Sequence, residues 1–107
     1  MYKEKLAIYD KIVAATPGVE RKGKTMPYTS SNGYMFSLFN KDGEIGIRLP
    51  KDRQQQMKQE HGCDIFKSHG AVMRDYVLIP DALLENIDFV SSLLAEGNDF
   101  VNSLPPK

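Results

Sequence analysis

Two glycine-containing dipeptides in the first half of the chain constrain its fold more than any other feature. Asn32-Gly33 and Asp42-Gly43 each lie between β-prone segments, and such dipeptides favour the tight turns that join antiparallel strands. The segment between them, Tyr34–Phe39, is apolar at almost every position, which predicts a central strand covered on both faces. In the segment 45–49, isoleucine and leucine alternate with glycine and arginine, which predicts a half-buried strand. With Thr25–Thr29 before the first turn, these segments predict a meander of three antiparallel strands.

The first and second strands carry more detailed expectations. Regular alternation places Tyr34, Phe36 and Leu38 on one face and the odd-numbered residues 35, 37 and 39 on the other. Thr25–Thr29 contains Pro27, which has no N–H to donate, so this strand should lie at a sheet edge. Ser30-Ser31 predict a connection longer than two residues before the next strand.

Helical patterns flank the meander. Apolar residues recur at helical spacing from Tyr2 to Ala15, and Thr16-Pro17-Gly18 should end this N-terminal helix. Pro50 to about His61 predicts a surface helix, because Met57 is its only clear apolar residue, and Gly62 favours a left-handed stop.

The second half of the chain completes the predicted fold. Cys63–Phe66 and Met73–Ile79 predict further strands around a turn at residues 68–70. Asp81 predicts the N-cap of a leucine-rich helix that Gly97-Asn98 should interrupt. The expectation is one α+β domain over 1–107. It has an antiparallel sheet of about five strands with a central β-meander, an N-terminal helix, one surface helix and C-terminal helices.

Composition excludes several classes of protein. The chain of 107 residues is long enough for one core. A single cysteine excludes a disulfide framework, and no apolar run approaches the roughly 20 residues that span a bilayer. The N-terminus lacks the apolar stretch of a signal peptide, so we expect a cytoplasmic protein without a membrane partner. Fourteen basic residues balance fourteen acidic ones, which argues against a nucleic-acid partner. Residues 80–107 nevertheless carry five acidic residues and one basic residue.

The segment 21–28 is the most distinctive candidate for binding. Its basic residues followed by an aromatic ring have the composition of a site that holds phosphates and stacks a base, although three charges give only modest, salt-dependent affinity. A small anion or a protein partner fits the same charges. Two arginines on predicted neighbouring strands join this surface if their faces coincide. The candidate partner or anion surface is Arg21, Lys22, Lys24, Tyr28, Arg48 and Arg74.

Catalytic and metal chemistry has weaker support. His61, Cys63, Asp64 and His69 have ligand-like side chains, but a tetrahedral metal site needs about four of them to converge, and their spacing does not require it. A thiol nucleophile at Cys63 with His69 as base needs a third group to orient the imidazole, and the sequence supplies none. We therefore expect no catalytic residue, no metal and no cofactor, with a thiol-dependent activity at Cys63 as an alternative.

Three short pieces of the chain resemble the N-terminal domain of the TfoX family. They are the basic run before Tyr28, the Asn32–Phe36 turn and strand, and Tyr76-x-x-x-Pro80-Asp81 followed by leucines, over residues 19–94. The resemblance implies a bacterial cytoplasmic α+β domain, related to regulators of competence for DNA uptake, and supplies no catalytic residues. The sequence thus favours a non-enzymatic protein-interaction or regulatory module, acting through its surface or by forming a homodimer. Small-anion or nucleic-acid binding through residues 21–28 is the alternative.

Overall fold

The structure is a computed structural model, and it describes residues 2–106. The predicted domain span also includes Met1 and Lys107, which lie outside the described residues. In chain order the elements are α1 (Tyr2–Ala14), β1 (Tyr28–Ser31), β2 (Tyr34–Phe39), β3 (Ile45–Arg48), α2 (Lys51–His61), β4 (Ile65–Ser68), β5 (Ala71–Leu78), α3 (Asp81–Leu84) and α4 (Ile87–Asn102).

The strands form one antiparallel sheet in the order β1-β2-β3-β5-β4. This arrangement confirms the predicted α+β class, the five-stranded sheet and the central meander. β2 lies inside the sheet and contributes side chains to two apolar clusters, as its composition predicts. The middle position belongs to β3, which pairs with β2 and β5.

The first hairpin is tighter than predicted. Ser31 pairs with Tyr34, so Asn32 and Gly33 alone make the connection, and both have positive φ, at 56° and 83°. A two-residue turn of this kind matches the twist of the flanking strands, which explains why the serines extend β1 instead of lengthening the loop. β1 accordingly begins at Tyr28, after Pro27, and lies at the predicted sheet edge.

A β-bulge overturns the predicted alternation in β2. Thr29 pairs with Ser37 and Ser30 with Met35, which leaves Phe36 as an extra residue. Phe36 packs in the cluster beneath the helices, and the Ser37 hydroxyl lies on the same side, 2.7 Å from the Tyr9 hydroxyl. The bulge therefore moves Leu38 to the opposite face from Phe36, although two positions of a regular strand would share a face.

The helices cover one face of the sheet. Buried residues from all four helices share a cluster with β2, β3 and β5, and among them are Tyr9, Ile12, Val13, Met57, Leu84, Val90, Leu93, Leu94 and Val101. Met57 is the single buried side chain of α2, as predicted for a surface helix. No helix among residues 2–106 combines the length and the apolar character needed to cross a membrane.

The other face of the sheet curls over a second, smaller cluster. The ring of Phe66 in β4 lies over Gly46 in β3, where an added Cβ would be 2.4 Å from the ring. The Tyr76 hydroxyl donates to the Met35 carbonyl across β3. At the rim of the curl, Asn40 Nδ2 donates to the Lys67 carbonyl at 2.8 Å. The β4–β5 hairpin is therefore bent back towards β2.

Two expectations about the C-terminal helices are wrong. Asp81 is not an N-cap: it is the first residue of α3, and its carboxylate pairs with Lys5. The cap that forms is Asn86, whose side chain accepts from the Phe89 N–H at the start of α4. Gly97 does not interrupt α4, because it is the point where this helix approaches the sheet and an added Cβ would be 2.8 Å from the Arg48 carbonyl oxygen.

Candidate functional site

The basic segment folds back onto the edge of the sheet. Lys22 and Tyr28 exchange two backbone hydrogen bonds, of 2.7 and 2.9 Å, so residues between them form a loop beside β1. Arg21 pairs with Asp10 of α1 at 3.1 Å, and Lys22 Nζ donates to the Ser30 hydroxyl at 3.0 Å. Lys24 is exposed. Within residues 2–106, these three basic side chains share no described contact partner.

Tyr28 is not presented as an open stacking surface. Its side chain is half-buried and packs against the second cluster. Gly23 lies close to the Tyr28 ring, because a Cβ added at Gly23 would be 3.0 Å from the ring. Gly23 has φ 84° and an added Cβ there would lie 2.4 Å from the Met26 carbonyl, so the loop needs glycine at this position. The sequence motif thus forms a turn against which the Tyr28 ring packs.

Arg48 and Arg74 have contacts separate from those of the segment 21–28. Arg48 ends β3, with its guanidinium near the rings of Tyr34 and Phe100 and near the carboxylate of Asp75. Arg74 is exposed on β5, the neighbouring strand, as predicted. Arg48 therefore contacts the start of β2, β5 and α4. Arg21 instead contacts α1, and Lys22 contacts β1.

The candidate thiol and metal residues are also apart. Five residues of largely extended chain lie between Cys63 and His69, and six steps of about 3.3 Å give a span of roughly 20 Å. His69 Nε2 lies 3.0 Å from the sulfur of Met26, while the His61 ring packs 5.1 Å from that of Phe89. Among residues 2–106 no three histidine, cysteine or acidic side chains come together as metal ligands would.

Cys63 lies in a groove between α2 and β4 of about 210 Å³. The side chain is buried, and this burial raises the pKa of the thiol above its ordinary value. A nucleophilic cysteine requires the opposite shift, because the thiolate is the reactive form. The environment is that of a small buried side chain at the floor of a groove, with Lys58 and Ile65 among its walls.

The structure reveals a surface that the sequence did not single out. On β4 and β5, one face of the hairpin turns inward with Phe66 and Met73, and the other faces solvent. Lys67 pairs directly with Val72 on the solvent side. We call this surface the outer hairpin face and define it as Ile65, Lys67, Val72 and Arg74, all of which are exposed.

The outer hairpin face combines aliphatic and basic side chains. Ile65 and Val72 are 53% and 54% exposed, and they are two of the three exposed large hydrophobic side chains in residues 2–106. The other two members of the face are cations, and none is acidic. Ile65 pairs with Val77, which is covered by the helices, so the face begins where the helical layer ends. The sequence feature that could have indicated this face is the alternation of Ile65 and Lys67 around Phe66. Such alternation places Ile65 and Lys67 on the same side of the strand.

Both edges of the sheet are partly covered. At β1 the backbone N–H and carbonyl groups of Tyr28 form hydrogen bonds with those of Lys22. At β4 the Ile65 N–H donates to the side chain of Asp64, and the Lys67 carbonyl accepts from Asn40. Such capping blocks the addition of another strand. The sheet edge beside Pro27 is therefore partly closed to another strand by the pairing of Lys22 with Tyr28.

Comparison of the chain with protein-family models, curated proteins and solved structures finds no match. The resemblance to the TfoX N-terminal domain therefore stays a prediction that depends on the short motifs quoted above.

Proposed function

We propose that the chain is a non-enzymatic protein-interaction module that binds its partner through the outer hairpin face. The partner segment presents acidic side chains beside apolar ones. The observation that carries this proposal is the exposure of Ile65 and Val72 next to Lys67 and Arg74, with no acidic residue in the set. Val72 pairs with the cation Lys67, and exposed aliphatic side chains that share one face of a hairpin are more typical of an interaction surface than scattered ones are.

The magnitudes favour a transient complex. Fully burying an aliphatic side chain of this size contributes about 1.5–3 kcal/mol, so covering the exposed half of each contributes about 1 kcal/mol. The two cations add attraction that salt screens, and they contribute more to partner choice and association rate than to affinity. A partner segment with acidic and apolar side chains complements the outer hairpin face in both charge and hydrophobicity.

Regulation and location are part of the same proposal. The resemblance to the N-terminal domain of competence regulators supports a regulatory role, and such a role requires a partner. The single cysteine is buried and unpaired, which supports a reducing compartment, and we place the module in the cytoplasm.

The test compares partner capture by matched variants of the full chain. Ile65→Thr/Val72→Thr removes apolar surface while keeping β-prone residues, and Lys67→Glu/Arg74→Glu reverses the charge. Lys3→Glu/Lys11→Glu is the matched control, because it changes net charge equally at two exposed positions outside every candidate surface. We expect capture of one protein that both hairpin variants lose and the control retains, with cross-links from Lys67 to an acidic segment of that protein.

Two outcomes contradict the proposal. One is capture that is equal in all variants, and the other is a host lysate that yields no protein dependent on this face. Sedimentation of the purified chain shows whether the partner is a second copy of the chain. If the wild type forms a dimer that the hairpin variants dissolve, the partner is a second copy, and the acidic exterior of α3 and α4 becomes the complementary surface.

A further inference from the structure

Arg48 is held by aromatic rings. Its guanidinium carbon lies 5.6 Å from the ring centroid of Tyr34 and 5.5 Å from that of Phe100. The Tyr34 hydroxyl donates to the Pro105 carbonyl at 2.7 Å, which fixes that ring. Aromatic contacts hold an arginine in place through its planar faces and leave its N–H groups free to donate hydrogen bonds in the plane.

The donors of this arginine are not used within the described chain. Arg48 Nε is buried without a hydrogen-bond partner. Nη2 lies 3.9 Å from Asp75 Oδ2, which is too long for a hydrogen bond. The other carboxylate oxygen, Asp75 Oδ1, lies 3.4 Å from Gln54 Nε2 instead. A guanidinium has five N–H donors, yet no described hydrogen bond in residues 2–106 involves one from Arg48.

We propose that Arg48 binds a carboxylate group of a ligand. A carboxylate can accept two parallel hydrogen bonds from the two Nη groups of the guanidinium, because Nε is buried, and the Tyr34 and Phe100 rings provide apolar surface for an attached carbon chain. Asp75 argues against a phosphate dianion, because its charge near the site repels two negative charges more than one. The side chain of Arg48 is 23% exposed, so the ligand reaches it from solvent.

The backbone at Asp75 supports this interpretation. Asp75 has φ 70°, a conformation that few residues other than glycine adopt, and it directs a carboxylate towards Arg48 without closing the ion pair. A ligand carboxylate competes with this loose internal contact. The proposal does not depend on the outer hairpin face, because Arg48 is not part of it.

The experiment titrates the full chain with three probes and follows the Arg48 Nε–H signal in ¹⁵N NMR spectra. Propionate represents a free small carboxylate, the capped tripeptide Ala-Glu-Ala a protein-borne one, and inorganic phosphate the alternative anion. We expect a saturable shift with the carboxylates and a weaker response to phosphate. Tighter binding of the peptide than of propionate assigns the carboxylate to a protein, and the reverse assigns it to a small metabolite.

Three variants separate binding from structure. Arg48→Lys keeps the charge but loses the planar fork, and we expect carboxylate affinity, followed through the Phe100 amide signal, to fall by about tenfold. Asp75→Asn removes the competing charge and tolerates the positive φ, so we expect binding to tighten by about threefold or more. Arg53→Lys is the control, because Arg53 pairs with Glu96 away from both proposed surfaces, and it should change neither value.

The proposal is wrong if wild-type signals show no saturable shift with propionate or the peptide, or if Arg48→Lys binds both as well as the wild type. It is also wrong if Asp75→Asn, with an unchanged spectrum elsewhere, binds carboxylates no more tightly than the wild type.

Discussion

Replacing Gly97 by alanine sets two opposing effects against each other in the middle of α4. Alanine stabilises a helix interior by about 1 kcal/mol relative to glycine. Its Cβ, however, would be 2.8 Å from the Arg48 carbonyl oxygen and 3.3 Å from Ile47 Cγ2. The oxygen belongs to the backbone of the middle strand, which cannot rotate away. Overpacking against backbone lies at the upper end of the usual range, about 2–3 kcal/mol, so after the helix gain we expect a net loss of about 1–2 kcal/mol.

Urea unfolding followed by circular dichroism measures this change. A loss of that size lowers the midpoint by about 1 M for a small domain. Ala95→Gly, on the same helix, is the matched control, and we expect it to lose about 1 kcal/mol through helix propensity alone. If Gly97→Ala is as stable as the wild type or more stable while Ala95→Gly behaves as expected, α4 does not approach β3 at this glycine and the packing argument fails.

Three further predictions test caps, burial and pH dependence. Asn86→Ala should lower the free energy of unfolding by about 1 kcal/mol and Asp81→Ala by less, because only Asn86 caps a helix; equal losses in thermal melts would contradict this. Burial raises the pKa values of Tyr9 and Tyr76 to about 12 from 10.0, so the stability they contribute is complete below pH 10 and lost as pH rises towards 12; Tyr9 and Tyr76 ring signals in NMR spectra of the folded protein that titrate with a midpoint near 10 would refute it. Cys63 should react with iodoacetamide far more slowly in the folded chain than in urea, and equal rates would show that it is not buried.

The sheet was largely predictable because its signals are local. Asn32-Gly33 specifies a turn through the positive φ of both residues, and a hairpin turn makes the apolar segment after it a strand and not a helix. The bulge at Phe36 was not predictable, because it depends on the pairing of β2 with β1 and on hydroxyl contacts between Ser37 and residues far along the chain.

The misjudged glycine and the missed surface share one cause. A glycine in a helical segment has the same local signature whether it breaks the helix or allows a close approach, and only the position of the Arg48 carbonyl distinguishes the two at Gly97. Similarly, Ile65 and Val72 are typical strand residues, and their exposure follows from where the helical layer ends. The basic segment was evident from composition, but its contacts with Asp10 and Ser30 were not.

The contribution of α4 to the main cluster affects how the protein is made. α4 packs on β1, β2 and β3, which all end before residue 50, so the ribosome releases the apolar face of these strands well before the helix that covers it. Synthesis at about 5–20 residues per second leaves that face open to water, and to chaperones, for several seconds. Stable folding must then await the arrival of α4, which completes the core.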